Sequence, residues 1–454
     1  MKFSYVRELD DYPLGGRRMK ILTMAVLASL ICSYEGVIAP IVTLLLHDLN
    51  MDLATYGSIS AAAAIVGAFA GLYGGHLTDK VGRVKLLVPL MLLTSLLCFA
   101  MTLVHSPTQL LYARIIMAFI DGIAIASTAP LVRDFSPRMG RAQAFGFWTW
   151  GPVGANFIAA AIAAATLPLF NDSWRSQFII MGCISFVASI AIALNIAELS
   201  PTLRATILKT ELQAMGKADE TTPARFRDLL PHKVIWAHCV GIAFWLVLYL
   251  TLTVYGQTML EQTFDRTPAE ASQIMMAFWI VDLGTVILFG RWSDKIQLRR
   301  IFSIVGTVVS LVLLTFLIVL MGDANTSNLT LMVTGALLGS AMGAAYSPWM
   351  ANYSENAEDI DPRLQGTAFG LFSFVIKVIL VAVLIVAPLV VAAANWQAWI
   401  IVTAVCMALF GIASVFFKGP WFNAKNQPPT GDTVEDVAVP VAEIPVEEIP
   451  VGTR

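Results

Sequence analysis

Apolar stretches of about twenty residues recur along the whole chain, separated by short polar segments. Each is long enough to cross a hydrocarbon core of ~30 Å as a tilted helix. None alternates apolar and polar residues as a membrane β-strand would, so the pattern predicts helices rather than a barrel. We expect twelve spans, numbered in chain order, near residues 19–46, 53–77, 84–104, 108–132, 141–168, 175–197, 234–257, 268–290, 300–321, 327–351, 365–394 and 397–417.

The composition supports this pattern, because 57% of the residues are hydrophobic and only 13% are charged. That balance leaves too little polar surface for a water-soluble globule. We therefore expect an all-α membrane protein surrounded by lipid, with about twelve transmembrane helices, no cofactor and no nucleic-acid partner. No short apolar core with a cleavage site precedes span 1, so we expect no removable signal peptide.

The positive charges indicate the orientation. About 25 of the 29 lysines and arginines fall in the N-terminus, the even-numbered loops and the C-terminus. Because cytoplasmic loops are enriched in Lys and Arg, we expect both termini to lie in the cytoplasm of a cell whose inner membrane holds the protein.

Two pairs of similar segments indicate that the second half of the sequence repeats the first. The sequence after span 2 is echoed after span 8, and residues 137–146 before span 5 resemble residues 362–370 before span 11. Parallel repeats of this kind are common in secondary transporters and place the substrate site between the halves. The residues matched in the first echo are Gly75, Asp79 and Lys80 with Gly290, Asp294 and Lys295. The predicted organisation is an N-terminus (1–18), a six-helix bundle (19–197), a linker (198–232), a second bundle (233–418) and a tail (419–454).

The linker and the tail lie outside the predicted bundles. In the linker, Leu203, Ile207, Leu208, Leu212 and Met215 fall near one helical face, which favours either a helix lying on the membrane surface or a solvated loop. The tail is acidic and rich in Pro and Val without a helical period, which predicts disorder. Its repeated V-P-V and E-I-P steps leave a docking peptide as the alternative.

Twelve spans in two repeats, with G-x-x-x-D-K-x-G-R-x-K between spans 2 and 3, resemble the major facilitator superfamily. The motif residues here are Gly75, Asp79, Lys80, Gly82, Arg83 and Lys85. In that family the motif braces the cytoplasmic ends of the two halves in the outward-open state. The second copy departs from the pattern, because Gln297 and Leu298 stand where Gly and Arg are expected, so the resemblance implies a weaker role for it.

Two further features carry the resemblance in part. Arg114 is similar to the arginine of span 4 in that family, although Ala118 replaces the glycine expected after it. Span 5 contains Gly146, Gly151, Pro152 and Gly154, which resemble the antiporter signature with the final glycine pair missing. This incomplete signature weakens the case for export.

Ionisable groups inside apolar spans cost ~2.5–3.5 kcal/mol each on insertion scales, so each needs a partner, water or a function. Glu35 lies near the middle of span 1, beside Tyr34. It is the first candidate for proton coupling, because a desolvated carboxyl group can bind and release a proton as its surroundings change. The alternative is a buried acid hydrogen-bonded to the backbone or to Tyr34.

Lys377 lies in the middle of span 11, too far from either interface to reach water by extending its side chain. In the family, span 11 lines the cavity, and a cation there resembles the carboxylate carriers of the family. A desolvated ammonium group binds an anion more strongly than one in water, which suits an organic acid. The alternative is a structural ion pair with Asp282 of span 8, and the two roles are compatible in one mechanism.

Arg114 and Asp121 are seven residues apart on span 4 and therefore share a helix face. A charge pair of Arg114 with Glu35 or Asp121 is the simplest interpretation. Together with Glu35 and Asp282, they complete our proton-coupling set.

Polar and aromatic residues near the expected cavity are candidates for substrate contact. Aromatic residues on membrane helices also serve as packing or interface anchors, so this set is less specific than the charges. The substrate-binding candidates besides Lys377 are Tyr34, Trp148, Asn156, Trp245, Tyr249, Trp279 and Tyr346. Gln257 is a further polar candidate, and the five histidines show no metal-ligand spacing.

We therefore expect a monomeric transporter that moves a small organic anion inward with protons, by rocking of the two halves. The alternative is a proton-driven exporter of drugs or metabolites. The chain contains no nucleophile elbow, zinc-protease motif or Walker A loop, so we expect neither an enzyme nor a nucleotide-driven pump.

Overall fold

The computed structural model of the protein describes residues 7–135, 141–214, 229, 231–360 and 365–421. Two short strands, β1 (Glu8–Leu9) and β2 (Glu198–Leu199), pair in parallel. The helices are α1 (Gly15–Tyr34), α2 (Val42–Asp48), α3 (Leu53–Val81), α4 (Arg83–Met101), α5 (Pro107–Ala126), α6 (Thr128–Asp134), α7 (Arg141–Thr166), α8 (Trp174–Asn195), α9 (Pro201–Ala214), α10 (Lys233–Phe264), α11 (Pro268–Ile296), α12 (Arg299–Leu320), α13 (Asn328–Ile360), α14 (Gln365–Ala393) and α15 (Trp396–Val415).

The predicted all-α membrane fold is confirmed. Among the described residues, eleven helical segments are long and apolar enough to cross a membrane, and Trp150–Thr166 of α7 is a shorter twelfth. They coincide with the twelve predicted spans. Spans 1 and 4 are interrupted, because α2 follows α1 and α6 follows α5 within one apolar stretch. Hydrophobicity alone does not reveal such breaks, and the sequence analysis did not predict them.

Side-chain caps fix the start of several spans. Asp52 accepts a 2.8 Å hydrogen bond from the Thr55 backbone N–H at the start of α3, and hydrogen bonds from Thr55 hold the pKa of Asp52 below its usual value. Thr267 and Glu270 form a reciprocal capping box at the start of α11. These side chains satisfy backbone N–H groups that a helix leaves without partners, so the spans begin at defined residues.

The helices form two halves, α1–α8 and α10–α15, and we call the interface between them the seam. The loops that join α3 to α4 and α11 to α12 lie at one end of the bundle, which we call the basic end. Arg83 and Lys85 in the first half, and Arg299 and Arg300 in the second, begin helices there. The opposite end, which we call the closed end, carries α2 and the loop between α10 and α11.

The two halves pack tightly at the closed end. Gly57 of α3 contacts the Leu384 carbonyl of α14, and a Cβ on Gly57 would lie 3.1 Å from Pro388. The Tyr255 hydroxyl donates a 3.0 Å hydrogen bond to the same Leu384 carbonyl, and the Tyr56 ring meets Tyr255 edge-on at 6.2 Å. One large apolar core joins residues of both halves here.

Nearer the basic end, one glycine of α3 and one of α14 have no close neighbour. A Cβ placed on Gly75 of α3 or on Gly370 of α14 would meet no atom within 4 Å. The second apolar core, which lies at this end, contains residues of the first half and the segments that pack on it. Among the described glycines of α3 and α14, the close approach between the two halves is therefore the one at Gly57, at the closed end.

The linker begins with α9, and its described part packs on the protein. Leu203 and Ile207 contact the apolar core of the first half, which removes that part of the apolar face from the membrane surface. The side chains of residues 208–214, residues 215–228 and the predicted tail beyond Trp421 lie outside the described residues.

Candidate functional site

Glu35 lies at the break in span 1, directly after the last residue of α1. Its side chain is fully buried. The Ser95 hydroxyl of α4 donates a 3.0 Å hydrogen bond to Glu35 Oε1, whereas Oε2 has no hydrogen-bond partner. Ser185 of α8 lies near the same carboxyl group, although no partner lies within hydrogen-bond distance of its hydroxyl. The partner anticipated from sequence, Tyr34, is not the one observed.

Asp121 of α5 is the second acid of this site. Its charge acts on Glu35, and Thr94 of α4 lies beside it. Because Thr94 and Ser95 are adjacent in α4, one turn of that helix contacts both acids. The sequence analysis missed these two hydroxyl residues, since Ser and Thr in apolar helices commonly bond only to their own helix backbone. Thr94 and Ser95 do so as well, to Leu90 and Met91.

Arg114 is half-buried on α5, on the same helix as Asp121. Its charge acts on Asp121 and on the buried Tyr56. No ion pair joins Arg114 to Asp121 or Glu35 among the described side chains, and Arg114 Nε is buried without a partner. The cation therefore influences the acid pair without being bound to it.

Lys377 of α14 faces the seam. Its side chain is exposed, yet enough protein lies around it to desolvate the ammonium group, as expected of a group in a cavity between helices. The acid whose charge acts on Lys377 is Asp121 of the other half. Between Lys377 and Asp282, both of which the structure describes, there is no ion pair. Among the described side chains, Lys377 thus has no ion-pair partner.

Asp282 lies inside the second half, where 2% of its surface is exposed. It packs against Gly343 of α13, on which a Cβ would lie 2.8 Å from Asp282 Oδ1. Its charge acts on the hydroxyl groups of Tyr249 and Tyr346. Asp282 therefore belongs to an aromatic environment and not to the cluster of Glu35, Asp121 and Lys377.

Four of the predicted aromatic residues form one cluster in the second half. Trp245 is stacked between Tyr249 and Tyr346, with ring centroids 5.0 Å apart on each side. Trp279 meets Tyr249 edge-on at 5.6 Å. The two tyrosines are half-buried, whereas the two tryptophans are 1% exposed. Any contact with a ligand would therefore be made first by Tyr249 and Tyr346.

The other three candidates lie in the first half and already have partners. Tyr34 is 2% exposed and packs beside the break in span 1. Trp148 Nε1 donates a 3.0 Å hydrogen bond to the Thr128 hydroxyl. Asn156 Nδ2 donates to the Pro152 carbonyl at 3.1 Å. These contacts are those expected of packing residues.

The motif after span 2 is a compact set of contacts at the basic end. Gly82 ends α3 with φ of 112°, a conformation that disfavours residues with a Cβ. Arg83 forms an ion pair with Asp134 of α6 and donates to the Pro130 carbonyl at 2.8 Å. Lys85 pairs with Glu8 at 3.0 Å, and Lys80 is exposed. The side chain of Asp79 lies outside the described residues.

The motif copy after span 8 makes similar contacts, but its arginine stands one position later in the sequence. Gln297 adopts a left-handed φ of 54° where the first copy has Gly82. Arg299, not the residue aligned with Arg83, forms the ion pairs, with Glu355 at 2.7 Å and Asp294 at 2.5 Å. The sequence analysis predicted a weaker structural role for this copy because of Gln297 and Leu298. It overlooked Arg299, which lies one position after the expected arginine. A Cβ placed on Gly290 would lie 2.7 Å from Ser347 Oγ. Lys295 is exposed.

The site thus combines the cation of Lys377 with a buried acid, Glu35, and a half-buried acid, Asp121, of the other half. Such groups can bind an anion and carry a proton. Within the described ranges, no group of three or more His, Cys, Asp or Glu side chains is placed to hold a metal ion.

The chain matches a family model described as the Major Facilitator Superfamily at residues 24–379 and again at residues 257–445. A gentisate transporter of Corynebacterium glutamicum is 23% identical over 383 residues, which cover 78% of this chain and 82% of that protein. Multidrug resistance protein MdtG of Erwinia billingiae is 27% identical over 172 residues, or 36% of this chain and 40% of that protein.

Solved structures share the fold. A D-xylose–proton symporter superposes with a TM-score of 0.66 at 16% identity, covering 88% of this chain and 96% of that chain. A bacterial homolog of the human lysosomal transporter Spinster, in an inward-facing and unoccupied conformation, gives a TM-score of 0.67 at 15% identity, covering 89% of this chain and 98% of the other.

Proposed function

The chain belongs to the Major Facilitator Superfamily and is a multi-pass membrane transporter, not an enzyme; we propose that it carries a small organic anion inward together with protons. The observation that supports this most directly is Lys377, an exposed cation in the seam with no ion-pair partner among the described side chains. An ammonium group in a low-dielectric cavity attracts an anion far more strongly than one in water.

The shape of the seam supports transport by alternating access. The halves contact each other through Gly57 and Leu384 at the closed end, whereas a Cβ on Gly75 or Gly370, nearer the basic end, would meet no atom within 4 Å. From the excess of Lys and Arg at the basic end we infer that this end, with both termini, lies on the cytoplasmic side of the inner membrane. We propose that the described conformation is closed toward the outside, and that rocking of the halves would open the closed end.

The anion site would lie between Lys377 and the aromatic cluster. Lys377 would hold the carboxylate, and Arg114 would add to the positive potential. Tyr249 and Tyr346, the half-buried members of the cluster, would contact the apolar part of the substrate. The likeness to a protein named for gentisate, an organic anion, supports this class of substrate.

Protons would be carried by the acids of the first half. Glu35 and Asp121 share one site beside Thr94 and Ser95, and two acids that repel each other can readily share a proton. Asp282 would be a further proton site in the second half. Because Asp121 acts on Lys377, protonation of the acid site would make the cation more available to the anion.

Export of drugs or metabolites is the second candidate. Gly151 and Gly154, part of the incomplete antiporter signature, pack closely against Ser29 and Leu30 of α1. The partial match to MdtG, a protein named for multidrug resistance, supports the same direction. An exporter of apolar compounds would depend on the aromatic cluster and not on Lys377.

A thermal-shift screen separates the two functions. The purified protein is heated with a panel of organic acids and a panel of apolar cationic drugs, and the screen is repeated on Lys377→Ala and Glu35→Gln. We expect selected acids to stabilise the wild type and Glu35→Gln, and to lose that effect in Lys377→Ala. Lys295→Ala, which removes an exposed cation at the basic end, is the matched control. Stabilisation by drugs alone, retained in Lys377→Ala, would establish the exporter instead.

A further inference from the structure

Span 1 consists of two rigid pieces joined by a short non-helical segment. α1 ends at Tyr34, a 3-10 turn covers Ala39–Ile41, and α2 follows at Val42. Pro40 at the start of that turn has no backbone N–H and cannot continue a helix from the residues before it. We therefore call residues 36–38, which directly follow Glu35, the hinge.

α2 occupies the closed end of the seam and is bonded to both halves. On the first half, Asp48 accepts 2.8 Å hydrogen bonds from Trp174 Nε1 and Arg175 Nη1 of α8. On the second half, the Thr43 hydroxyl donates to Glu261 Oε2 of α10. Val42 and Leu45 of α2 are fully buried between these contacts. α2 thus joins the halves where they meet.

The Glu261 carboxyl group relies on Thr43 for its hydrogen bonding. Thr43 is the hydrogen-bond partner of its carboxyl group within the described part of the chain, and Glu261 Oε1 is buried without any partner. The charge that reaches Glu261 from nearby is that of Asp172, which has the same sign. Opening of the closed end would separate α2 from α10 and remove the hydrogen bond, so the bond belongs to the closed arrangement alone.

The packing beside the hinge is incomplete. A cavity of about 20 Å³ lies beside the hinge and is lined by Tyr34, Val37, Pro40, Ile41, Ala159, Gln177, Phe178 and Met181. This is about the volume that one water molecule needs, so the hinge is not packed to the density of the surrounding core.

From these contacts we infer that Glu261 is a positioning residue of the outer gate. The outer gate is the closed end of the seam. Glu261 keeps α2 against α10 through its hydrogen bond with Thr43, and the gate opens when α2 turns about the hinge and that hydrogen bond breaks. The inference rests on the proposed alternating-access transport, but it does not depend on which solute is carried.

Hydrogen exchange measured by mass spectrometry on the purified, substrate-free protein tests the gate. The variants are Thr43→Val, which keeps the shape and removes the donor, Glu261→Leu, and Glu261→Gln, which keeps an acceptor for Thr43. We expect exchange at residues 42–48 and 255–264 to accelerate about tenfold in Thr43→Val and Glu261→Leu. Glu261→Gln should stay within about threefold of the wild type, and the double variant Thr43→Val/Glu261→Leu should add little to either single change.

Thr263→Val is the matched control, because it removes a buried hydroxyl without a partner two residues along α10. Unchanged exchange in Thr43→Val, or an equal acceleration in Thr263→Val, would overturn the gate. Since no substrate is present, failure of the organic-anion proposal leaves this result unaffected. Conversely, an intact acid response in the thermal-shift screen with no gate effect would refute only the role of Glu261.

Discussion

Lys377 of α14 and Asp121 of α5 face each other across the seam, each within reach of the other's charge and without an ion pair between them. This relationship links the two halves electrostatically. A direct ion pair would be expensive to break in each cycle. Without a direct ion pair, binding of an anion to Lys377 or of a proton to Asp121 can change their charge interaction at a modest cost in free energy.

Asp121→Asn should strengthen anion binding. The substitution removes a negative charge that competes with the substrate for Lys377, so the Kd of a stabilising acid should fall about three- to tenfold. Isothermal titration of wild type and variant measures the change. Asp294→Asn, an acid at the basic end, should leave the Kd unaltered. An unchanged or weaker affinity in Asp121→Asn would contradict the arrangement of charges described above.

Glu35→Gln should separate substrate movement from proton movement. Glutamine can still accept the hydrogen bond from Ser95 but cannot bind and release a proton. In proteoliposomes we expect exchange of labelled for unlabelled substrate to continue, while accumulation driven by a pH gradient falls at least about tenfold. Asp323→Asn, in the loop after α12, serves as the control. Gradient-driven accumulation at the wild-type level in Glu35→Gln would exclude this carboxyl group from coupling.

Gly57→Ala should loosen the closed end of the seam, whereas Gly75→Ala should leave the seam unchanged. The methyl group at position 57 would collide with the Leu384 carbonyl and loosen the closed end, whereas the one at position 75 enters open space. Spin labels at Asn50 and Asp265, on closed-end loops of the two halves, report the separation by double electron–electron resonance. We expect longer distances in Gly57→Ala and no change in Gly75→Ala. Equal distributions in both variants would argue against packing at Gly57 as the seal.

Arg299→Ala should destabilise the second half. The substitution breaks the hydrogen bonds to Glu355 and Ser293 from a side chain that is 7% exposed. Because Glu355 is itself 49% exposed, water compensates part of the loss, and we expect a cost of about 1–2 kcal/mol. A lower Tm measures it. Arg299→Lys should recover part of the loss, and Leu298→Ala should have no comparable effect if the shifted arginine is the one that matters.

The sequence alone determined the membrane fold, its twelve spans and the candidate charges. Lipid requires every backbone polar group of a span to be satisfied within a helix, so hydrophobic length converts directly into structure. Charges inside such spans are costly, which made Glu35, Arg114, Asp121, Asp282 and Lys377 visible without coordinates.

Only the tertiary structure decided which of these groups meet. Asp282 was a possible partner of Lys377, yet it lies among aromatic rings, and Asp121 of the other half takes its place. The hydroxyl of Ser95, the break at Glu35 and the contact between Thr43 and Glu261 have no signature in hydrophobicity. Helix rotation and crossing decide which side chains face each other, and these depend on how small and large residues of distant segments fit together.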